Sequence, residues 1–269
     1  MIKLKFLLGE KGLIGLTMWR EITEALEKIV GVYERINHVI SLYQDDRARE
    51  RGLELIDELD GVAVELGTGP GNFAAMLLRR LRGPLICLDY SAVMIREAKG
   101  RLKGRAHLVR GVFEALPVRG TCASLSAAAY SLRDSKEKLR VMTEVAHILK
   151  VGGEFLIVDV GKPENPVFMR LLSLYLRWIV PILAGLWGGQ GPINPWRMLY
   201  DSYTLLPSNG ELLRALRVVF GMAELEERAH GGLIVAVAHK VTRGPNQNLR
   251  GRARHPPPHA SSSSLGRVV

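Results

Sequence analysis

A glycine-rich segment, Glu65-Leu66-Gly67-Thr68-Gly69-Pro70-Gly71, is the part of the sequence whose residue types most clearly predict chemistry. It follows the apolar run Val62-Ala63-Val64 and precedes a stretch with helical periodicity, Phe73–Arg82. We therefore predict a turn between a strand and a helix, in which glycine lets a ligand approach the backbone closely. Such a turn at the carboxyl end of a strand is where doubly wound α/β sheets bind nucleotides.

The glycine spacing and two acidic residues indicate which nucleotide derivative this turn favours. The pyrophosphate-binding fingerprint is G-x-G-x-x-G, whereas the glycines here stand at 67, 69 and 71, and Pro70 lacks a backbone N–H. The Glu65 carboxylate would repel a pyrophosphate but attract a sulfonium and an ammonium group. Asp89, at the end of the next predicted strand, either accepts hydrogen bonds from both ribose hydroxyls or caps the following helix. Together these features favour S-adenosylmethionine (SAM) over a nicotinamide dinucleotide.

Strands and helices alternate between residues 61 and 160. The predicted strands are Val62–Leu66, Leu85–Asp89, Ala106–Val109, Ala123–Ala129 and Glu154–Val160. The predicted helices are Phe73–Arg82, Ser91–Leu102 and Ser135–Leu149. This alternation predicts a parallel sheet with right-handed crossovers.

The last part of the chain departs from this alternation. After a predicted helix, Gly210–Phe220, two strands, Ala223–Arg228 and Leu233–His239, are so close in sequence that they must pair antiparallel. A parallel sheet closed by an antiparallel hairpin is usual for SAM methyltransferases. We predict an α/β fold with a doubly wound, mostly parallel seven-stranded sheet, an antiparallel last strand and Rossmann-like SAM methyltransferase topology.

The same patterns predict three regions. Residues 1–60 form a helical region that covers the site and includes an amphipathic helix between Trp19 and Val30. Residues 61–242 form the SAM-binding domain, with a helical insert at 163–207. Residues 243–269 form a disordered basic tail, because they offer too little apolar area to bury.

Charge and cysteine content limit the class of protein. The net charge is +10, and half of it comes from five arginines at or after residue 243, so it does not by itself indicate a nucleic-acid partner. Two cysteines, Cys87 and Cys122, cannot form a disulfide framework and suit a reducing compartment. The first residues lack the pattern of a signal peptide. We predict a cytoplasmic enzyme.

Several sequence blocks, taken together, resemble one family. Blocks found in many SAM methyltransferases are Glu65–Gly71, Leu88–Met94 and Ile148–Gly153. More telling are Ser131-Leu132-Arg133-Asp134, Gly161-Lys162-Pro163, Leu199–Pro207 and the closing strand from Gly231 to Lys240. From about Tyr33 to Lys240 the sequence resembles the ubiquinone/menaquinone biosynthesis C-methyltransferase family of class I SAM-dependent methyltransferases.

The resemblance, together with the loop chemistry, implies a set of cofactor-binding residues. The set is Glu65, Gly67, Thr68, Gly69, Gly71, Asp89, Tyr90, Val112, Phe113 and Ala129. Within it, Val112 and Phe113 would border the adenine. The sequence departs from the family at Val112 and Ala129, where the family usually has polar residues, so adenine recognition would depend on backbone hydrogen bonds and apolar packing.

The resemblance also implies C-methylation of a hydroquinone that loses a phenolic proton. Arg133, which matches the family's Leu-Arg pair, is the first candidate to stabilise the phenolate or orient a water, and a structural ion pair is the alternative. Asp134, Asp201 and Tyr203 are weaker candidates. The sequence has no HExxH, CxxC or paired-carboxylate motif, so we predict no bound metal.

The apolar segment Leu171–Trp187 bears on the substrate. Its length approaches that of a membrane span, but Arg177 and Pro181 in its middle argue against a transmembrane helix. We predict either a buried lid helix or an apolar wall that touches the bilayer and admits a prenyl tail, and the two are compatible. The hypothesis is a peripheral membrane enzyme that acts on a prenylated quinol.

Other functions stay open at this stage. The chain could methylate another lipophilic or small acceptor, such as a sterol or a polyketide-like phenol. An RNA methyltransferase is less favoured, because no base-flipping motif or added RNA-binding domain is present. A non-catalytic subunit with this fold and a homodimer are also compatible with the sequence.

Overall fold

The computed structural model of the protein describes residues 34–56, 60–188 and 196–241. The predicted amphipathic helix between Trp19 and Val30 and the predicted basic tail both lie outside these residues. The described chain begins in a helix at residues 34–41, here α1, followed by α2 (Gln44–Glu54).

Seven strands form one sheet. They are β1 (Val62–Leu66), β2 (Leu85–Asp89), β3 (His107–Arg110), β4 (Ala123–Ala129), β5 (Leu149–Val160), β6 (Gly221–Arg228) and β7 (Leu233–Lys240). The other helices are α3 (Asn72–Leu77), α4 (Ala92–Leu102), α5 (Lys138–Ile148), α6 (Pro166–Leu174), α7 (Val180–Gly188), α8 (Arg197–Thr204) and α9 (Asn209–Phe220). The strand order is β3-β2-β1-β4-β5-β7-β6, and β7 alone runs in the direction opposite to the other six strands. The predicted fold is therefore confirmed.

Helices cover both faces of the sheet because successive strand residues point to opposite sides. In β1, Val64 belongs to the apolar cluster that includes residues of α5 and α9, whereas Ala63 belongs to the cluster that includes residues of α2, α3 and α4. Burial on both faces explains why the central strands consist almost entirely of apolar residues. The strand order reverses at β1, which pairs with β2 on one side and β4 on the other. The carboxyl ends of β1 and β4 therefore flank the crevice in which doubly wound folds bind ligands.

Three predicted elements, α3, α5 and β5, differ from their predicted lengths by four or five residues, and α5 spans Lys138–Ile148 instead of Ser135–Leu149. Helix α3 ends at Leu77 instead of Arg82, because Arg79 and Arg80 donate backbone hydrogen bonds three residues back and tighten the last turn. Strand β5 begins at Leu149 instead of Glu154. The pairing with β4 shifts register between Ala123 and Leu125, and Gly152, with a φ of +77°, lies in the additional length of β5.

The predicted helical insert contains a long helix made of α6, a π-helical turn (Tyr175–Ile179) and α7. Its buried residues Leu176, Val180 and Ala184 recur every four positions, as do the exposed residues Leu174, Trp178, Ile182 and Leu186. An α-helix has 3.6 residues per turn, so residues that recur every four positions gradually wind around its axis. The π turn has more residues per turn, offsets this winding and keeps each row on one side of the long helix. By length and composition, Pro166–Trp187 (mean hydropathy 1.6) could cross a membrane, although one such helix is weak support for a span.

Candidate active site

A cleft lies at the reversal of strand order, where the turns after β1, β2 and β4 meet. It holds about 1020 Å³ of empty space, part of which is open to solvent. Of the ten predicted cofactor residues, nine line this cleft: Glu65, Gly67, Thr68, Gly69, Asp89, Tyr90, Val112, Phe113 and Ala129. Gly71 does not line it. Gly71 precedes α3 with a φ of +89° and lies against Ala98 and Leu102 of α4. In this structure it therefore lets α3 and α4 pack closely.

The glycine loop brings its backbone to the cleft. Gly67 has a φ of +70°, and a Cβ there would lie 2.4 Å from the Ser131 Cβ. Gly69 has a φ of +53°, and a Cβ there would meet no atom within 4 Å. At position 67 a larger residue would clash with Ser131, and the positive φ also favours glycine. Gly69 also has a positive φ, but it faces open space that a ligand can enter.

Asp89 is held in place by the backbone around it. Its two carboxylate oxygens accept hydrogen bonds from the backbone N–H groups of Gly69 (2.8 Å) and Ser91 (2.9 Å). Burial raises the pKa of Asp89, while these backbone hydrogen bonds lower it. Because each carboxylate oxygen accepts more than one hydrogen bond, Asp89 retains acceptor capacity for a pair of vicinal hydroxyls. Helix α4 is capped separately, by the Ser91 hydroxyl, which accepts from the Met94 N–H.

Glu65 lies at the inner end of the cleft and is almost fully buried. Its carboxylate accepts a hydrogen bond of 2.6 Å from the Thr68 hydroxyl. Burial raises the pKa of Glu65 to about 7; the Thr68 hydrogen bond opposes this shift and the charge of Asp89 adds to it. A cationic ligand group beside Glu65 would favour its ionised form.

Val112 and Phe113, next to Gly111, give the cleft an apolar wall, and the Phe113 ring lies beside Gly67. Ala129, at the end of β4, also lines it. The described cleft thus combines an apolar wall, a carboxylate suited to a ribose, an accessible backbone and a second carboxylate. This arrangement fits a nucleoside that carries a cationic amino-acid chain.

Some residues that line the cleft were not predicted from the sequence. Arg49 reaches it from α2, and its guanidinium lies 4.9 Å from the centre of the Tyr130 ring. Tyr130 follows β4 with a φ of +57°, a conformation that is uncommon for a large residue and is often found at functional sites. Ser131 donates its hydroxyl hydrogen bond to the Leu66 carbonyl at 2.6 Å and so joins the turns after β1 and β4.

Arg133, the predicted catalytic residue, does not line this cleft. It borders a smaller adjacent pocket, which is partly open to solvent, holds about 310 Å³ of empty space and is also lined by Lys138, Asp159 and Lys162. Its guanidinium lies between Asp134 (3.4 Å) and Asp159 (3.9 Å). Burial raises the pKa of Asp159 to about 6, although the charge of Arg133 lowers it. The ion pairs that were the alternative interpretation of Arg133 are therefore present in the structure.

The weaker catalytic candidates occupy different places. Asp134 lines the cofactor cleft. Asp201 is exposed on α8 and lines neither cavity described above. Tyr203 is buried against α6–α7, and its hydroxyl has no hydrogen-bond partner within the described part of the chain.

One group of possible metal ligands appears where the sequence showed no ligand spacing. His38, Asp45 and Asp46 offer atoms that all lie within 4.8 Å of one another. The Arg49 guanidinium already contacts both carboxylates, at 2.9 and 2.7 Å. An ion-pair network accounts for this group, and the absence of a metal stays a prediction.

Comparisons with known proteins agree with the geometry. The sequence profile of the ubiE/COQ5 methyltransferase family matches residues 17–242. A demethylmenaquinone methyltransferase of Lactococcus lactis is 26% identical over 85% of this chain and 93% of its own length. A demethylmenaquinone methyltransferase of Thermotoga maritima is 31% identical over 61% of this chain and 72% of its own.

A solved structure is similar in fold. It is a SAM-dependent methyltransferase of Thermotoga maritima, described as a possible histamine N-methyltransferase, with a TM-score of 0.59 at 18% identity. The match covers 83% of this chain and 99% of that one. At this level of identity the similarity supports the fold alone.

Proposed function

The chain belongs to the ubiE/COQ5 methyltransferase family, and from this we propose that it methylates a ring carbon of a prenylated quinol in quinone biosynthesis. The chain is a SAM-dependent methyltransferase by family and by fold. A demethylmenaquinol-type acceptor is proposed because relatives carry the name demethylmenaquinone methyltransferase. The observation that carries the proposal is the cleft at the carboxyl ends of β1, β2 and β4, which lies within the matched region.

We propose that different residues of the cleft bind different parts of the cofactor. Asp89 accepts the ribose hydroxyls, Val112 and Phe113 pack on the adenine, and Glu65 faces the ammonium group. Gly67, Thr68, Gly69, Tyr90 and Ala129 complete the walls, and Gly71 contributes indirectly by fixing the start of α3. When bound, SAM supplies an electrophilic methyl group, and the chain supplies position and charge.

Arg133 is proposed as the cation that stabilises the phenolate of the acceptor. In support, it follows β4 closely, and the next residue, Asp134, lines the cofactor cleft. Asp134 and Asp159 hold its guanidinium, and a cation held in this way requires little reorganisation when negative charge develops nearby. Lys138 and Lys162 add positive charge to the same cavity.

We also propose that the enzyme contacts a membrane through the exposed face of α6–α7. Large apolar side chains on this face are exposed: Val167, Leu171, Leu174, Trp178, Ile179, Ile182, Leu186 and Trp187. Arg170 and Arg177 are exposed on the same long helix and would suit anionic headgroups. An apolar face flanked by cations is typical of helices that lie in the bilayer interface, where a prenylated acceptor is dissolved.

The test is methyl transfer from labelled SAM to reduced demethylmenaquinol, compared with sterol and simple phenol acceptors. We expect label on a ring carbon of the quinol. Arg133→Met should keep SAM affinity but lose about 100- to 1000-fold in turnover, the usual effect of removing one group that stabilises developing negative charge. Arg214→Met, an exposed arginine on α9, is the matched control.

The outcomes separate the parts of this proposal. Transfer to a sterol or phenol but not to the quinol would leave a SAM methyltransferase of another acceptor class. Full turnover in Arg133→Met, with lowered thermal stability, would assign that arginine to a structural ion pair.

A further inference from the structure

The charged side chains that line the cofactor cleft are unequal in sign. Among the described residues, the acids that line it are Glu65, Asp89, Glu114 and Asp134, and the cation is Arg49 alone. SAM carries an ammonium, a sulfonium and a carboxylate. A carboxylate that enters a partly buried cleft lined with acids requires a strong donor, since an uncompensated charge there is costly.

Arg49 is fixed in position by its own helix. Its side chain is only 9% exposed, and its Nη1 atom contacts Asp45 and Asp46 at 2.9 and 2.7 Å. Burial would raise the pKa of Asp45, but a hydrogen bond from Ser41 and the charge of Arg49 hold it below its ordinary value. Asp45 is therefore ionised at neutral pH and keeps the guanidinium at the cleft.

The location of Arg49 within the cleft indicates which part of SAM it meets. Its guanidinium lies 4.9 Å from the centre of the Tyr130 ring, and it lines the same cleft as Glu65. Burial raises the pKa of Glu65, and the charge of Arg49 opposes that shift, in agreement with this position. Glu65 is the proposed partner of the ammonium group, and the adenine is assigned to the wall formed by Val112 and Phe113. Arg49 thus lies at the amino-acid end of the cleft.

We infer that Arg49 binds the amino-acid carboxylate of SAM and so makes α2 part of the cofactor site. The inference rests on the proposed SAM site. Asp46 is 43% exposed, so water can replace part of its contact when the ligand carboxylate meets the guanidinium. With five N–H donors in a planar fork, arginine can serve Asp45 and a ligand carboxylate together.

The experiment compares SAM with decarboxylated SAM, which keeps the sulfonium and ammonium but lacks the carboxylate. Dissociation constants would be measured by titration calorimetry for the full chain, for Arg49→Gln and for Arg51→Gln. Arg51 is a matched control, because it is on the same helix but pairs with Glu54 and Glu226. Thermal melting would report folding of each variant.

We expect the wild-type chain to bind SAM about 10- to 100-fold more tightly than decarboxylated SAM, the range for a hydrogen bond between charged groups. Arg49→Gln should bring this ratio close to one by weakening SAM alone, and Arg51→Gln should keep it. If the wild-type chain binds SAM and decarboxylated SAM equally well, the inference is overturned without any variant. It is also overturned if Arg49→Gln keeps the preference of the wild-type chain for SAM. Failure of the wild-type chain to bind either ligand would instead overturn the proposed SAM site.

Discussion

At the residue scale, the cleft holds acidic side chains in different electrostatic environments. Asp89 receives two backbone N–H groups, which favour its ionised form, whereas Glu65 is buried with one hydroxyl donor and has a pKa near 7. This difference suits two ligand groups of different charge: neutral ribose hydroxyls at Asp89 and a cation at Glu65.

The pH dependence of binding tests the role of Glu65. Below pH 7 its carboxyl is mostly protonated in the ligand-free cleft, and a bound ammonium group favours the ionised form. Binding must then release a proton, so SAM affinity should rise with pH, by up to about tenfold per unit below pH 7, and level off above it.

Titration calorimetry between pH 6 and 8, in buffers of different ionisation heat, measures both the affinity and the proton release. Glu65→Gln should bind SAM more weakly at pH 8 and lose the pH dependence. An affinity of the wild-type chain that does not change over this range would contradict the assignment.

The sequence predicted these residues to different degrees. Gly67, Gly69 and Asp89 could be predicted from the sequence, because a local turn requires the glycines and the end of a strand places the carboxylate. Arg49 was not, because it belongs to a helix earlier in the chain and only tertiary packing brings it to Tyr130. Arg133 was predicted as a catalytic residue, but its contacts with Asp134 and Asp159 depend on the meeting of β4 and β5, which no local pattern encodes.

At the element scale, the long helix of the insert differs from the other helices of the fold. Helices such as α5 and α9 bury their apolar residues against the sheet, whereas α6–α7 packs one row inward and leaves another apolar row exposed. The sequence predicted an apolar segment here. Its buried row agrees with a buried helix, and contact of the segment with a bilayer or a prenyl tail stays a prediction. The π turn that keeps the two rows apart has no recognisable sequence pattern and depends on packing against α1 and α8.

The exposed row predicts binding to lipid vesicles. Trp178 and Leu186 are 58% and 72% exposed, and the apolar area of such side chains contributes a few kcal/mol when it leaves water. We expect the wild-type chain to sediment with vesicles that contain anionic phospholipid. The double variant Trp178→Ser with Leu186→Ser should weaken this binding at least about tenfold.

The matched control is Val218→Ser with Met222→Ser, which removes two exposed apolar side chains outside the insert. It should sediment like the wild-type chain. Equal binding of both double variants, or no binding by the wild-type chain, would exclude the α6–α7 face as the membrane contact.

At the scale of the whole molecule, the strand order is what assembles the site. Since β1 lies between β2 and β4, the turn that carries Gly69 and the strand ends at Asp89 and Ala129 meet at one crevice although they are far apart in sequence. The alternation of strands and helices predicted a parallel sheet with right-handed crossovers, whereas the strand order itself came only from the structure. The predicted family is confirmed by the profile match over residues 17–242. The acceptor, a prenylated quinol, stays a proposal that rests on the relatives of the chain.

The most direct test of the central claim is the binding of SAM to the purified chain, measured by titration calorimetry for the wild type, Asp89→Asn and Glu224→Gln. Asp89→Asn removes the charge of the residue that we propose accepts the ribose hydroxyls, and Glu224 is an exposed acid on β6 outside the cleft. We predict that the wild type and Glu224→Gln bind SAM equally and that Asp89→Asn binds it on the order of 100-fold more weakly. A wild-type chain that does not bind SAM, or an Asp89→Asn variant that binds it as tightly as the wild type, would contradict the assignment of this cleft as the cofactor site.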